Sequence, residues 1–145
     1  MSKSAIRILW AEDNLGDILL VKEAFRQAGL APHLNVVENG IEATDFLFQR
    51  GRYAHALPPK LIIMDLNMPR KNGREVIQDI KNAPALLQIP LVVLTSSNAD
   101  LDVLDSLDPA RCLYLVKPTT FQALIDLAKQ INDFWLSINK QDTKP

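Results

Sequence analysis

Cysteine, long apolar runs and an excess of charge of one sign are the features that this 145-residue sequence lacks. Cys112 is the only cysteine, which excludes an intrachain disulfide and a cysteine-based zinc site. No apolar run approaches the length of a membrane span, and the N-terminal stretch lacks a signal-peptide core. The net charge of −1 gives no bulk electrostatic reason to expect nucleic acid or an anionic membrane as a partner. We therefore expect a soluble, cytoplasmic protein.

The composition is that of an ordinary globular protein, with 48% hydrophobic and 23% charged residues. A chain of this length suggests one domain built around one core. We expect that single domain to span residues 1–145, with the folded core over about 6–138 and a polar tail over 139–145.

Short apolar runs alternate along the chain with segments of helical periodicity. The predicted strands are Ile6–Ala11, Val36–Val37 with its neighbours, Leu61–Leu66, Leu91–Leu94 and Cys112–Val116. Several of these strands lack polar alternation, which is typical of strands covered on both faces in a parallel sheet.

Helical segments fill the intervals between the strands. Asn14 and Asp17 form a capping pair that opens the first predicted helix, and Gly29 is the expected stop. Further helices are predicted over Ile41–Arg50, Arg74–Asn82, about Asp100–Leu107, and from Phe121 to about Ile138. Five strand–helix units predict an α/β fold: a doubly wound, five-stranded parallel sheet with helices on both faces.

Polar side chains stand where four of the predicted strands end. Glu12 and Asp13 end the first strand, Asp65 the third, Thr95 the fourth and Lys117 the fifth. Open α/β sheets bind ligands at the carboxyl ends of their strands. With the strand order 2-1-3-4-5, three carboxylates and a lysine converge at the switch point.

Three carboxylates in one crevice repel one another unless a cation intervenes. Oxygen ligands without histidine or cysteine favour Mg²⁺ over zinc or copper. Three acids and one lysine carry a charge of −2, which one Mg²⁺ cancels. The residues thus predict a magnesium site beside a carboxylate nucleophile for a phosphoryl group.

Four stretches, in chain order, resemble the receiver domain of the two-component response regulators: WAEDN, IIMDLNMPRKNG, VVLTSS and YLVKP. The resemblance covers residues from about Ile6 to Ile138 and implies the flavodoxin-like (βα)5 fold. It implies that Asp65 is the phosphoacceptor, while Thr95 and Lys117 contact the phosphoryl group.

The same resemblance implies the remaining site residues. Asp13 would ligate Mg²⁺ directly, Glu12 mainly through water, and Asn67 through its backbone carbonyl. Tyr114 matches the aromatic residue that changes rotamer when the strand-end threonine moves. The resemblance further implies a cis peptide bond between Lys117 and Pro118.

Within that family no output domain follows the receiver, which favours a stand-alone regulator that works by docking. The stretches FLFQRGRYAHALPPKLIIMDLNMPRKNGREVI and FWLSINK resemble the single-domain regulators of bacterial phytochrome histidine kinases. The implied partner is a histidine kinase whose phosphohistidine supplies the phosphoryl group. Leu127 and Phe134 form a second apolar face on the last helix, which suggests a homodimer through the predicted fourth helix, the fifth strand and the last helix.

Two other functions use the same kind of fold and site. A haloacid-dehalogenase-type Mg²⁺-dependent phosphatase would need a second acid two residues after its nucleophile, where this chain has Asn67. A flavin-binding flavodoxin would need a hydroxyl- and glycine-rich loop after the first strand, where this chain reads AEDNLGD. A phosphorylation-independent docking module remains a further alternative. We expect a self-phosphorylating switch, not an enzyme that turns over an external substrate.

Overall fold

A five-stranded, all-parallel sheet forms the centre of the protein in a computed structural model that describes residues 6–96 and 101–142. Its strands are β1 (Arg7–Ala11), β2 (His33–Val37), β3 (Leu61–Met64), β4 (Leu91–Thr95) and β5 (Cys112–Val116). The strand order is β2-β1-β3-β4-β5, which confirms the predicted fold class and order. The two central strands β3 and β4 are buried along their whole length, as their unbroken apolar sequences indicate.

Within residues 6–96 and 101–142, four α-helices cover the two faces of this sheet. They are α1 (Leu15–Gln27), α2 (Gly40–Leu47), α3 (Gly73–Lys81) and α4 (Phe121–Asp142). One apolar cluster joins the sheet to α1 and α4, and a second joins it to α2 and α3. None of the helices within the described residues is both long and apolar enough to cross a membrane.

Helix α1 begins and ends where the sequence predicts. The Asn14 side chain accepts a hydrogen bond from the Asp17 backbone N–H, which caps the first turn. Gly29 has a φ of 78°, a left-handed conformation that glycine adopts without steric cost, just after the helix.

The predicted fourth helix, Asp100–Leu107, is wrong over the residues that the structure describes. From Leu101 onward the segment forms only a 3₁₀ turn, Leu101–Leu104. Ser106 has a φ of 74°, which cannot continue a right-handed helix. The segment is also rich in aspartate, whose side chain competes with helical hydrogen bonds. Asp100 itself lies outside the described residues.

The two apolar faces predicted for the last helix are not separate. Leu127 is only 6% exposed and belongs to the same core cluster as Leu124 and Ile131, with Phe134 packed against it. Phe121, the first residue of the predicted last helix, is 38% exposed. The second apolar face, formed by Leu127 and Phe134, therefore packs against the core of the same chain.

Glycine is required where α3 begins, because the helix contacts the backbone at the end of β3. A Cβ atom on Gly73 would lie 2.3 Å from the Asp65 carbonyl oxygen and 2.8 Å from the Leu66 Cα. The Gly73 N–H donates a hydrogen bond to the Leu66 carbonyl at 3.0 Å. The close approach fixes the path of the chain immediately after Asp65.

We predict that Gly73→Ala destabilises the protein by about 1–3 kcal/mol, because the added methyl group must displace backbone atoms. Denaturant unfolding of the purified variant measures this loss. Gly16→Ala is the matched control: at this exposed glycine in the first turn of α1, an added methyl group would meet only the Asn14 Oδ1, at 3.3 Å. We expect the control to lie within about 0.5 kcal/mol of the wild type. Equal stability of the two variants would contradict the packing argument.

Candidate functional site

The ends of β1 and β3 bring two acidic segments side by side. Ala11 and Met64 are register partners, so Glu12 and Asp65 are the next residues on adjacent parallel strands. The Asp65 N–H donates to the Ala11 carbonyl at 3.0 Å, and the Glu12 N–H donates to the Val37 carbonyl at 2.9 Å. The backbone hydrogen bonds of the sheet thus extend to Glu12 and Asp65 and fix the position of both residues.

Glu12, Asp13 and Asp65 each place a carboxylate oxygen within 4.8 Å of the others. Glu12 is fully buried and Asp65 is 5% exposed, whereas Asp13 is exposed. Asp65 Oδ1 accepts the Asn67 backbone N–H at 3.1 Å, and Glu12 Oε2 accepts the Asn14 backbone N–H at 3.1 Å. The structure therefore brings the three predicted carboxylates together, with two of them screened from solvent.

Lys117, which directly follows β5, supplies the cation of the crevice. Its Nζ lies 2.7 Å from Glu12 Oε1 as an ion pair and donates hydrogen bonds to Asp17 Oδ2 at 2.9 Å and Asp65 Oδ2 at 3.2 Å. Its backbone N–H donates to the Thr95 carbonyl at 2.7 Å, which anchors the residue to the end of β4. The lysine therefore connects four separate elements of the fold.

These carboxylates stabilise the protonated form of Lys117. Burial alone would lower the pKa of the ammonium, but the contacts with Glu12 and Asp17 and the charge of Asp65 raise it above its ordinary value. The lysine stays protonated at physiological pH and is ready to donate to an anion.

Glu12 shows the cost of placing a carboxylate in this crevice. Burial raises its pKa to about 7; the charge of Asp65 adds to the shift, and the contact with Lys117 opposes it. A carboxylate with such a pKa is poorly stabilised as an anion by the protein alone. A divalent cation in the crevice would favour the ionised form, so the donor set fits a metal that prefers oxygen ligands.

Thr95 ends β4 and is fully buried. Among the described residues, its Oγ1 has no hydrogen-bond partner. A buried unpaired hydroxyl costs about 1–3 kcal/mol, so such a group in a native fold calls for an explanation. A ligand oxygen bound in the adjoining crevice would give it a partner.

The structure places the other two predicted residues nearby without testing their roles. Asn67 is exposed in the loop after β3, two residues beyond Asp65. Tyr114 is half-buried on β5, in register with Val93 of β4, and packs against the core cluster of α2 and α3. The metal-ligand role of Asn67 and the switch role of Tyr114 stay predictions.

The cis peptide bond expected between Lys117 and Pro118 is wrong for this structure, in which the described residues contain no cis peptide bond. The trans isomer is also the more stable one for a peptide bond to proline, by about 0.5–1 kcal/mol. The long lysine side chain reaches Glu12, Asp17 and Asp65 from the trans backbone.

Asp17 is the site residue that sequence reasoning missed. The sequence marks it only as a helix-capping partner of Asn14, yet its carboxylate bonds to a lysine 100 positions away in the chain. With every group ionised, four carboxylates and one lysine carry a formal charge of −3, not the −2 expected from three acids. The available signal was its place in the first turn of α1, four residues after Asp13, next to the predicted ligands.

A family model described as "Response regulator receiver domain" matches residues 8–129 of this chain. The chain is 39% identical over 129 residues to response regulator Rcp1 of Synechocystis sp., covering 89% of this chain and 88% of that protein. It is 32% identical to the probable methanogenesis regulatory protein FilR2 of Methanothrix harundinacea, covering 92% and 85% of the two chains.

Solved structures give the same result. The phosphorylated cyanobacterial phytochrome response regulator RcpA is similar with a TM-score of 0.79 and 38% identity, over 92% of this chain and 96% of that one. The Mn²⁺-bound form of Rcp1 is similar with a TM-score of 0.75 and 36% identity, over 90% and 94%. Because the family model covers most of its sequence and the relatives match it in sequence and fold, the chain belongs to the response regulator receiver domain family.

Proposed function

We propose that this response regulator accepts a phosphoryl group onto Asp65 from the phosphohistidine of a histidine kinase. One observation carries the proposal: the nearly buried Asp65 carboxylate lies 3.2 Å from the Lys117 ammonium, in one crevice with two further acids. Strand β3 and the close contact between Gly73 and the Asp65 carbonyl constrain the backbone that carries this nucleophile. Rigid placement is what phosphoryl transfer requires most, because the protein has little covalent chemistry to perform.

The transfer moves one phosphoryl group between two nucleophiles. A carboxylate oxygen of Asp65 forms a bond to phosphorus while the bond between phosphorus and the imidazole nitrogen breaks, and that nitrogen keeps the electron pair. Lys117 and the Thr95 hydroxyl, which has no partner within the described part of the chain, donate to phosphoryl oxygens and stabilise the charge that develops on them. The product is an acyl phosphate on Asp65, and its hydrolysis returns the protein to its starting state. The protein is in this proposal a stoichiometric switch and not a turnover enzyme.

The described carboxylates fit Mg²⁺ as the cofactor of this reaction. Glu12, Asp13 and Asp65 would hold the ion, and the Asn67 backbone carbonyl is the further proposed ligand. When bound, Mg²⁺ supplies positive charge that offsets the repulsion between the phosphoryl oxygens and the carboxylates. The relative Rcp1 has been solved in a Mn²⁺-bound form, which supports a divalent cation as the cofactor.

We further propose a phytochrome-type histidine kinase as the partner and a phosphorylation-dependent homodimer as one output. The kinase proposal is supported by the similarity to RcpA, which is described as a phytochrome response regulator. The dimer proposal is supported by exposed apolar side chains on the Leu101–Leu104 turn, on β5 and on α4: Leu101, Val116 and Phe121. Movement of Thr95 toward the phosphoryl group would reach this surface through Tyr114 on the neighbouring strand, β5.

The first test is intact mass after incubation with acetyl phosphate and Mg²⁺. We expect the wild type to gain one phosphoryl group and Asp65→Asn to gain none, because the amide is not a nucleophile. Asp126→Asn, on α4, is the control and should behave as the wild type does. A folded wild type without any gain, also with a phosphorylated kinase as donor, would favour the phosphorylation-independent docking module.

We predict that Mg²⁺ raises the thermal midpoint of the wild type, because it binds the folded crevice and relieves carboxylate repulsion. Free Mg²⁺ at about ten times its dissociation constant would add about 1.4 kcal/mol of stability. Asp13→Asn should shrink this shift without unfolding the protein, since Asp13 is exposed. The measurement is a thermal melt with Mg²⁺ or with a chelator, and Asp133→Asn on α4 is the control. An undiminished shift in Asp13→Asn would remove Asp13 from the ligand set.

Sedimentation equilibrium tests the dimer proposal. We expect the wild type to shift from monomer toward dimer when beryllofluoride, a phosphoryl mimic, is added with Mg²⁺. Val116→Asp should suppress the shift, because burying a charge at the centre of an apolar interface is unfavourable. Leu57→Asp is the control, since Leu57 is exposed on a loop outside the proposed surface. A wild type that stays monomeric at high concentration with the mimic would exclude the self-interface.

A further inference from the structure

Asp17 stands out because it bonds to Lys117 from an element that carries none of the other site residues. Its Oδ2 accepts from the Lys117 Nζ at 2.9 Å, which is shorter than the 3.2 Å from the same nitrogen to Asp65 Oδ2. Because both oxygens bond to one nitrogen, they are at most about 6 Å apart, a range at which two charges interact appreciably. Asp17 is therefore within electrostatic reach of any group carried by Asp65.

Helix α1 holds Asp17 in this position. The Asp17 backbone N–H donates to Asn14 Oδ1, and Ile18 and Val21 bury the adjoining face of the helix in the core. The Asp17 side chain itself is 37% exposed, so it lies at the rim of the crevice, outside the buried Glu12. Asp17 is thus more accessible to solvent than Glu12 or Asp65, whose side chains are 0% and 7% exposed.

We propose that Asp17 is a positioning residue that competes with the phosphoryl group for Lys117 and thereby slows the loading of Asp65. The inference rests on the proposed function of Asp65 as the phosphoacceptor. Asp17 occupies one of the three N–H donors of the ammonium, and its negative charge repels an incoming phosphoryl dianion. Both effects oppose the phosphorylated state and its formation.

A more ordinary role for Asp17 would be to stabilise the positive end of the α1 dipole, as acids in a first helical turn do. That role predicts a lower thermal midpoint for Asp17→Asn with no change in phosphoryl loading. Competition for Lys117 instead predicts that Asp17→Asn is loaded with the phosphoryl group faster than the wild type, whether or not its thermal midpoint changes. Measuring the rate of phosphoryl loading and the affinity for a phosphoryl mimic therefore distinguishes the two explanations.

The experiment compares the wild type with Asp17→Asn at saturating Mg²⁺, using intact mass to follow loading by acetyl phosphate and titration to measure beryllofluoride affinity. We expect Asp17→Asn to load about three- to tenfold faster and to bind the mimic more tightly by a similar factor, since the amide keeps the size of the side chain but loses its charge. Asp17→Glu restores the charge and should return both values toward those of the wild type. Thermal melts establish that each variant is folded.

Glu23→Gln is the matched control, because it removes one negative charge from the same helix at a residue whose carboxylate bonds to Arg26 instead of Lys117. It should load at the wild-type rate. A wild type that does not load at all would defeat the proposed function itself. If the wild type loads normally but Asp17→Asn loads at the same rate, more slowly, or no faster than Glu23→Gln, the competition inference is wrong. The proposed function of Asp65 is then unaffected.

Discussion

The repulsion among carboxylates at the ends of β1 and β3, balanced by Lys117, is the interaction on which the rest of the site depends. The parallel ladder places Glu12 beside Asp65 because Ala11 and Met64 are register partners. Helices on both faces of the sheet keep solvent away, so the repulsion is weakly screened. Lys117 can offset it only because β5 ends at the same edge of the sheet and the Thr95 carbonyl fixes the lysine backbone.

Two features of the site remain energetically unfavourable despite the charge of Lys117. Burial raises the pKa of Glu12 to about 7, and the Thr95 hydroxyl is buried without a partner among the described residues. Each feature is a cost to the folded protein that a bound cation or phosphoryl oxygen would reduce. Strained or unsatisfied groups persist at functional sites when the surrounding structure holds them in place, and here the sheet ladder and the α3 contact at Gly73 do so.

The short-range apolar pattern predicts the parallel sheet, and the acids converge once the strand order is 2-1-3-4-5, the order that goes with the resemblance to receiver domains. Unbroken apolar runs such as Leu61–Met64 mark central strands, and the residue after such a run must lie at the carboxyl edge. The ion pair of Asp17 and Lys117 could not be predicted, since it joins side chains 100 residues apart whose directions depend on helix packing. The failed fourth helix has a different, local origin: Ser106 adopts a left-handed backbone that a right-handed helix cannot contain.

The fourth carboxylate changes how the electrostatics of the crevice must be understood. With a charge of −3, one divalent cation leaves the site negative, so net charge alone does not attract a phosphodonor. Attraction must come from donors aimed at the phosphoryl oxygens, and the Lys117 ammonium and the Thr95 hydroxyl are candidates for this role. Local placement therefore decides whether the anion enters. A residue that engages one of these donors, as Asp17 engages Lys117, acts directly on the step that the rest of the site is arranged to favour.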